Sequence, residues 1–347
     1  MLKTPICILT ADNKPLNEQI NSRILSVTVT DNRADQADEL SITIDDSDGI
    51  LELPKRGVKL SCKMGFWGEE IHDKGDFIVD ETEWAGTPDV ITVKASSANF
   101  KSNIKEEKSK SYHRMSFGQI AAEVAQRHEL ALNMIDELKN IDLHHIDQTN
   151  ESDLNLLARL AKQNGAEMSI KKDQILIFKA GSAKTASGKD LAKITITRNH
   201  GDQFRYSEQD RESDYTGVSA SYHDQGKATR KRVTSGNVEV RGGGDDKTTK
   251  TKALKGTFAS KEEAQRAADA KMAEIKRDQA QFNITLAYGN PAISSESPIA
   301  IQGFKKEIDM MPWIVAKAIH QYDKSGGLTT RLELESSKGK KSVTNSN

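Results

Sequence analysis

The stretch His145-Ile146-Asp147-Gln148-Thr149-Asn150-Glu151-Ser152-Asp153-Leu154-Asn155-Leu156-Leu157-Ala158-Arg159-Leu160-Ala161-Lys162-Gln163-Asn164-Gly165 holds a strand end, a helix and the signals that separate them. Leu154, Leu157, Leu160 and Ala161 recur at helical spacing on one face, with Leu156 near its edge. The spacing predicts a helix from about Ser152 to Asn164. Asn150, Glu151, Ser152 and Asp153 suit its start, because a side-chain oxygen there accepts from orphan amides and acids complement the helix dipole. Gly165 takes the position after the helix, where a left-handed backbone is favoured.

Working outward, Ser116-Phe117-Gly118-Gln119 reads as a capping box. Phe117, Ile120, Ala121, Val124 and Ala125 then follow at helical spacing. Gln174-Ile175-Leu176-Ile177-Phe178 reads as a strand. Residues 111–180 thus form a small α+β unit, preceded by a lysine-rich polar linker over 101–110 and assigned as an insert domain over 101–185.

The flanks are strand-rich. Leu25, Val27 and Val29 alternate with Ser26, Thr28 and Thr30, and the same period recurs at Leu40/Ile42/Ile44, Val58/Leu60/Cys62/Met64 and Ile91/Val93/Ala95. Period 2 means strands with one buried face, and several short ones in a row suggest an antiparallel barrel or sandwich over 1–100. Strand patterns resume at Ile194/Ile196 and Val218/Ala220/Tyr222. They close the chain at Phe282/Ile284/Leu286, Trp313/Val315/Ala316 and Leu328/Thr330/Leu332/Leu334. A helix over Ser260–Asp278, with Ala264, Ala267, Ala268, Met272 and Ile275 on one face, interrupts them. Gly181–Lys189 reads as a linker, Gly236–Lys252 as a polar loop, and 337–347 as a disordered tail. The fold class is therefore β-rich α+β, with strand units over 1–100 and 186–336.

Composition narrows function. The chain of 347 residues is 36% hydrophobic and 29% charged, so its cores are thin and its surface polar or completed on assembly. The 50 basic and 51 acidic residues leave a net charge of -1, which argues against bulk nucleic acid or an anionic membrane as the main partner. Two cysteines, Cys7 and Cys62, are too few for a disulfide framework or a cysteine-rich zinc site. No secretory leader and no membrane span is legible, so synthesis in the cytoplasm is expected.

Candidate chemistry reads as structural. His144, His145 and Asp147, near Glu151 and Asp153, are the densest set of potential ligands, but adjacent histidines point to opposite sides of a strand and no metal-binding frame accompanies them. Gly242-Gly243-Gly244 precedes no helix and lacks phosphate-loop spacing. No nucleophile elbow or Cys/His pairing appears. Arg230-Lys231-Arg232 with Lys227 is a basic run of the kind that faces solvent. Trp84 and Trp313 suit a core or interface, and His320 a structural role. No catalytic residue, cofactor-binding residue or metal ligand is assigned, and the chain is expected not to be an enzyme.

Two segments carry a resemblance. Gln148–Gly165 resembles the Q-x-N/E-E-S-D-x-x-F/L-L-x-R-L-A-x-x-x-G signature of the phage late control D family, the hub proteins of contractile tails, similar to the hub portion of VgrG. Pro312-Trp313-Ile314-Val315-Ala316-Lys317-Ala318-Ile319-His320 with Gly326–Leu334 resembles that family's closing hairpin. Leu156 stands where an aromatic is common. The chain also ends soon after the hub, so a spike would be a separate protein.

The resemblance implies two related β-barrel tube domains flanking the insert. It also implies a homotrimer that matches a sixfold tail tube protein to a threefold spike protein, incorporated into the virion baseplate. Gln148, Asn150, Glu151, Ser152, Asp153, Leu157, Leu160, Gly165, Trp313 and His320 are then structural motif residues. DNA or a tape-measure protein would pass through the channel without specific binding. The acidic stretch Asp31–Asp48, with seven acids and one base, is the candidate for the channel side or its rim, with Asp35, Asp38 and Asp45 named for it. Two alternatives stay open: a carbohydrate- or host-surface-binding module, and a peptidoglycan hydrolase built on an acidic pair.

Overall fold

The structure, a computed structural model, describes residues 3–33, 36–97, 102–171, 173–179, 181, 193–208, 215–224, 226, 229–236, 250–277 and 280–336. The expected linker after Gly181, most of the loop after Gly236, the tail, Asp35 and Lys227 lie outside the described residues.

The alternating apolar segments of both flanks enter one 13-stranded sheet. Its path runs Lys14–Pro15, Pro5–Ala11, Lys59–Phe66, His72–Ala85, Val90–Ser97, Glu39–Asp45, Ile24–Asn32, Trp313–Asp323, Gly327–Ser336, Ala280–Leu286 and Gly201–Glu208. Ile194–Thr197 and Pro298–Gln302 branch from it beside Trp313. Ile24–Asn32 is the pivot. One edge pairs with Glu39–Asp45, and the other pairs antiparallel with Trp313–Asp323, from Asn32↔Lys317 to Ser26↔Asp323.

This pairing corrects the two-barrel expectation: no closed barrel forms among the described residues. Closure requires the last strand of a set to pair with the first. Ile24–Asn32 gives its free edge to the C-terminal hairpin instead of to Pro5–Ala11. The N-terminal core therefore includes Leu328 and packs against Tyr322 of that hairpin.

The middle unit has its own core, from Ile104 to Ile177. Here too the structure revises an expectation. The lysine-rich run over 101–110 is no linker: Ser102–Lys105 is a 3-10 turn that buries Ile104, and Glu107–Ser116 is a strand antiparallel to Asp142–Ser152. Two of its lysines face carboxylates, Lys108 to Asp153 and Lys110 to Glu123. Ser116 caps the helix Phe117–Arg127, and the box is reciprocal, with Gln119 N–H donating to Ser116 Oγ at 3.2 Å and Ser116 N–H to Gln119 Oε1 at 2.8 Å.

The long helix is Lys261–Arg277. Ala264, Ala268, Met272 and Ile275 press onto Val218, Ala220 and Val233 of a separate three-stranded sheet. Small side chains let this helix approach the strands closely. No helix among the described residues is long and apolar enough to cross a membrane.

Candidate functional site: an ion-paired motif and a three-way joint

The motif helix is Asp153–Gln163. Ser152 caps it, accepting from Asn155 N–H at 3.2 Å. Leu157 and Leu160 are wholly buried, each contributing ~1.5–3 kcal/mol of apolar burial. Gly165 sits at φ 69, in the left-handed region. Asn150 is also left-handed, at φ 46, beside a register shift in the strand, and its N–H donates to Ser109 Oγ at 3.2 Å.

Asp153 and Glu151 do more than first-turn acids would. Asp153 is fully buried. Its Oδ2 meets Arg127 Nη1 at 2.7 Å, His128 Nε2 at 2.7 Å and Lys108 Nζ at 2.9 Å. Its Oδ1 accepts from Gln148 Nε2 at 2.9 Å, and the same amide donates to Glu151 O at 2.8 Å. Burial alone would raise this carboxyl, but the hydrogen bonds from Gln148, His128, Lys108 and Arg127 outweigh it and hold Asp153 well below the usual carboxylate range. Glu151 takes Arg159 in a fork, at 2.9 and 2.7 Å. Five of the sequence-expected residues (Gln148, Glu151, Ser152, Asp153 and the flanking Asn150) therefore come together on the motif, whereas Trp313 and His320 lie in the large sheet.

Trp313 is buried, and its indole N–H donates to Ile308 O at 2.9 Å. His320 is fully buried between Thr330 Oγ1, 2.9 Å from Nδ1, and Ile293 O, 3.0 Å from Nε2. A carbonyl only accepts, so the proton is assigned to Nε2. Burial first, then the nearby Lys74 charge, push this imidazole down to about 3, so it is neutral.

Sequence reasoning missed a second polar cluster, where the middle unit meets the sheet. Lys171 Nζ reaches Asp31 Oδ1 at 2.7 Å, Asp38 Oδ2 at 3.3 Å and Ser295 Oγ at 3.3 Å. Beside it, Arg33 meets Glu167 at 2.7 Å, Glu335 at 2.6 Å and Glu296. These residues come from the pivot strand and its continuation, the middle unit, the turn before Pro298–Gln302 and the last strand. Local pattern offers no signal for contacts such as Arg33 to Glu335, 302 residues apart.

The cluster also involves the acidic stretch. Asp31, in Ile24–Asn32, and Asp38, just before Glu39–Asp45, both pair with Lys171 within the chain, and Asp45 ends Glu39–Asp45. At the far end, Asp48 pairs with Arg23 at 2.5 Å.

An open cleft of about 620 Å³ separates the motif from residues 255–259 and the start of the long helix, and it is lined by His145, Asp147, Arg159, His223 and Arg266 among others. Asp147 is held below its usual range by hydrogen bonds from Ser111 and His145, which suits an acceptor and not a general acid. His145 stacks on His113 with centroids 4.6 Å apart, and His144 points elsewhere, 3.7 Å from Asp142. Among the described residues no group of three or more His, Cys, Asp or Glu is arranged to hold a metal ion. Arg230, Lys231 and Arg232 lie on the strand Thr229–Gly236, where Lys231 pairs with Asp224 at 2.5 Å.

Comparison with known proteins bears on this fold. A protein of Escherichia phage 186, named "Probable baseplate hub protein", is 37% identical over 362 residues, covering 95% of this chain and 92% of its own. A 43 kDa tail protein of prophage MuSo2 from Shewanella oneidensis shares the fold over 96% of this chain and 99% of its own, with a TM-score of 0.67 at 14% identity. A chain of the half-lidded Francisella PdpA-VgrG complex matches 98% of this chain and 59% of its own, with a TM-score of 0.55 at 11% identity. The model of the phage tail baseplate hub (GPD) family matches residues 80–326, which take in the motif helix, the joint's Glu167, Lys171 and Glu296, and the Trp313 strand. With that match and a 37% identical relative along nearly its whole length, the chain belongs to the phage tail baseplate hub (GPD) family.

Proposed function

We propose that this chain is the central hub of a contractile tail baseplate, three copies forming a ring that joins a sixfold tail tube protein to a threefold spike protein. In this reading residues 1–100 and 186–336 are the two tube units, 101–185 is the insert that braces them, and DNA or a tape-measure protein passes through the ring without specific binding. The observation that carries it is the continuous sheet. The pairing of Ile24–Asn32 with Trp313–Asp323 sets the two strand-rich units side by side, and the path ends at Lys14–Pro15 and Gly201–Glu208 with open edges among the described residues. An open edge is a template for pairing and is normally covered. Three copies, each with two units, give the six positions that a sixfold tube requires. The motif residues act as the brace of the insert. Trp67, Trp84 and Met310, at 79%, 56% and 73% exposed, are apolar surface that assembly would cover.

The test is stoichiometry in the particle. Quantitative mass spectrometry of purified tails is expected to give three copies of this chain per particle, equal to the spike chain. Six copies, or a chain lost from particles that retain the spike, would reject the reading.

A further inference from the structure

The joint at Arg33 carries more negative charge than it neutralises. Glu167 on strand Ala166–Lys171, Glu335 on strand Gly327–Ser336, and Glu296 in the turn before Pro298–Gln302 converge on one guanidinium. The site is secluded: the side chains of Arg33, Glu296, Glu167 and Glu335 are 13%, 9%, 16% and 24% exposed. Neither carboxylate oxygen of Glu296 makes an aligned hydrogen bond among the described residues. Among the described residues the neighbouring cluster offers no spare cation. There Asp31 and Asp38 face Lys171 and the half-buried Lys74, whose ammonium also donates to Pro291 O at 3.1 Å, and His320 is neutral. Crowding three carboxylates around one cation, away from water, favours the protonated form of the most buried of them.

We propose that the Arg33 joint is a proton-linked clamp: a proton on Glu296, which shares the Arg33 guanidinium with Glu167 and Glu335, holds the middle unit against the sheet, and its loss loosens that attachment. The groups that face Glu296 set the direction. Burial raises its carboxyl first, Arg33 opposes, and the charges of Glu167 and Glu335 raise it further, leaving it at about 7. In the adjoining cluster, burial and the Asp31 charge lift Asp38 to about 6 against Lys171. Both folded values lie above those of the free side chains, so the closed joint binds more protons than the open one. The clamp is fully engaged below the ordinary carboxylate range and weakens as pH rises through about 7. The joint spans the three parts of the chain, so its protonation sets how firmly the insert is fixed relative to both strand units.

Hydrogen exchange of the full-length protein tests this, read at the amides of Ala166–Lys171 and corrected for intrinsic exchange rates. From pH 5 to pH 8 the opening equilibrium of the wild type is expected to rise about tenfold or more. In Glu296→Gln, a neutral shape-match for the protonated form, the rise is expected to shrink at least threefold while exchange at pH 5 stays near wild type. If Glu296→Gln fails to fold, Glu335→Gln gives the same readout, since it removes one of the charges that raise Glu296. A flat wild-type profile would overturn the clamp, and so would a full wild-type slope retained in the folded glutamine variant.

Discussion

Replacing Asp153 by alanine perturbs the most heavily coordinated carboxylate of the motif. The change leaves Arg127, Lys108 and His128 facing one another around a wholly buried gap, and it takes one of the two acceptors from the Gln148 amide. Removing one member of a buried charged set costs about 3–5 kcal/mol, well above the ~1 kcal/mol of a lost helix cap. Arg127 and Lys108 keep 29% and 30% of their side-chain surface, so water can recover part of their solvation and the low end of that range applies. Asp153→Asn keeps the shape and loses the charge, so about 2 kcal/mol is expected. The pH dependence follows from the sign of the shift. Asp153 lies below its unfolded value, so its contribution is present above the unfolded pKa and is lost as pH falls through the folded one. The gap between the wild type and Asp153→Ala should therefore be full at neutral pH and begin to narrow only below about pH 4. Hydrogen-exchange protection of Asp153–Gln163 is the appropriate assay, because the three tryptophans, Trp67, Trp84 and Trp313, all lie outside the middle unit. A folded Asp153→Ala protein within 1 kcal/mol of wild type at pH 7 would refute the assignment of Asp153 as a buried anchor, and would return it to the role of a first-turn acid.

Three further outcomes are expected. Leu157→Asp or Leu160→Asp places a charge in the wholly buried core and should cost several kcal/mol or prevent folding, measured by far-ultraviolet circular dichroism during urea unfolding. His320 is held neutral at about 3, so its contribution is present above the ordinary histidine range and is lost as pH falls, by about 1.4 kcal/mol per unit between pH 6 and pH 4. His320→Gln should flatten that part of the pH–stability curve, and an unchanged slope would contradict the assignment. Gly165→Ala must hold a side chain at φ 69 and should cost about 1 kcal/mol in the same urea measurement, with no change in assembly.

The helices and their caps were legible because their causes are local. Ser116 with Gln119, and Ser152 before the leucine face, are complete signals within a few residues. The strands of the flanks were legible from period 2, yet their closure was misjudged. Nothing in the alternation of Leu25, Val27 and Val29 says which strand lies on the second edge, and the partner is nearly the whole chain away. Lys108 was lost in a linker because a lysine that neutralises a buried carboxylate looks the same in sequence as one in water. Asp153 was underestimated for the matching reason: its position near a helix start gave a sufficient local explanation, while Arg127 and His128 close the helix before. The joint at Arg33 has no local component, so it was visible only once the segments were placed.

The central claim is a threefold hub, and the mass of the purified full-length protein under native conditions tests it most directly. Light scattering and native mass spectrometry, with negative-stain class averages of the same sample, are expected to show three chains of 38.3 kDa in a ring with threefold symmetry. A species that stays monomeric at high concentration, both alone and with the spike protein present, would contradict the account.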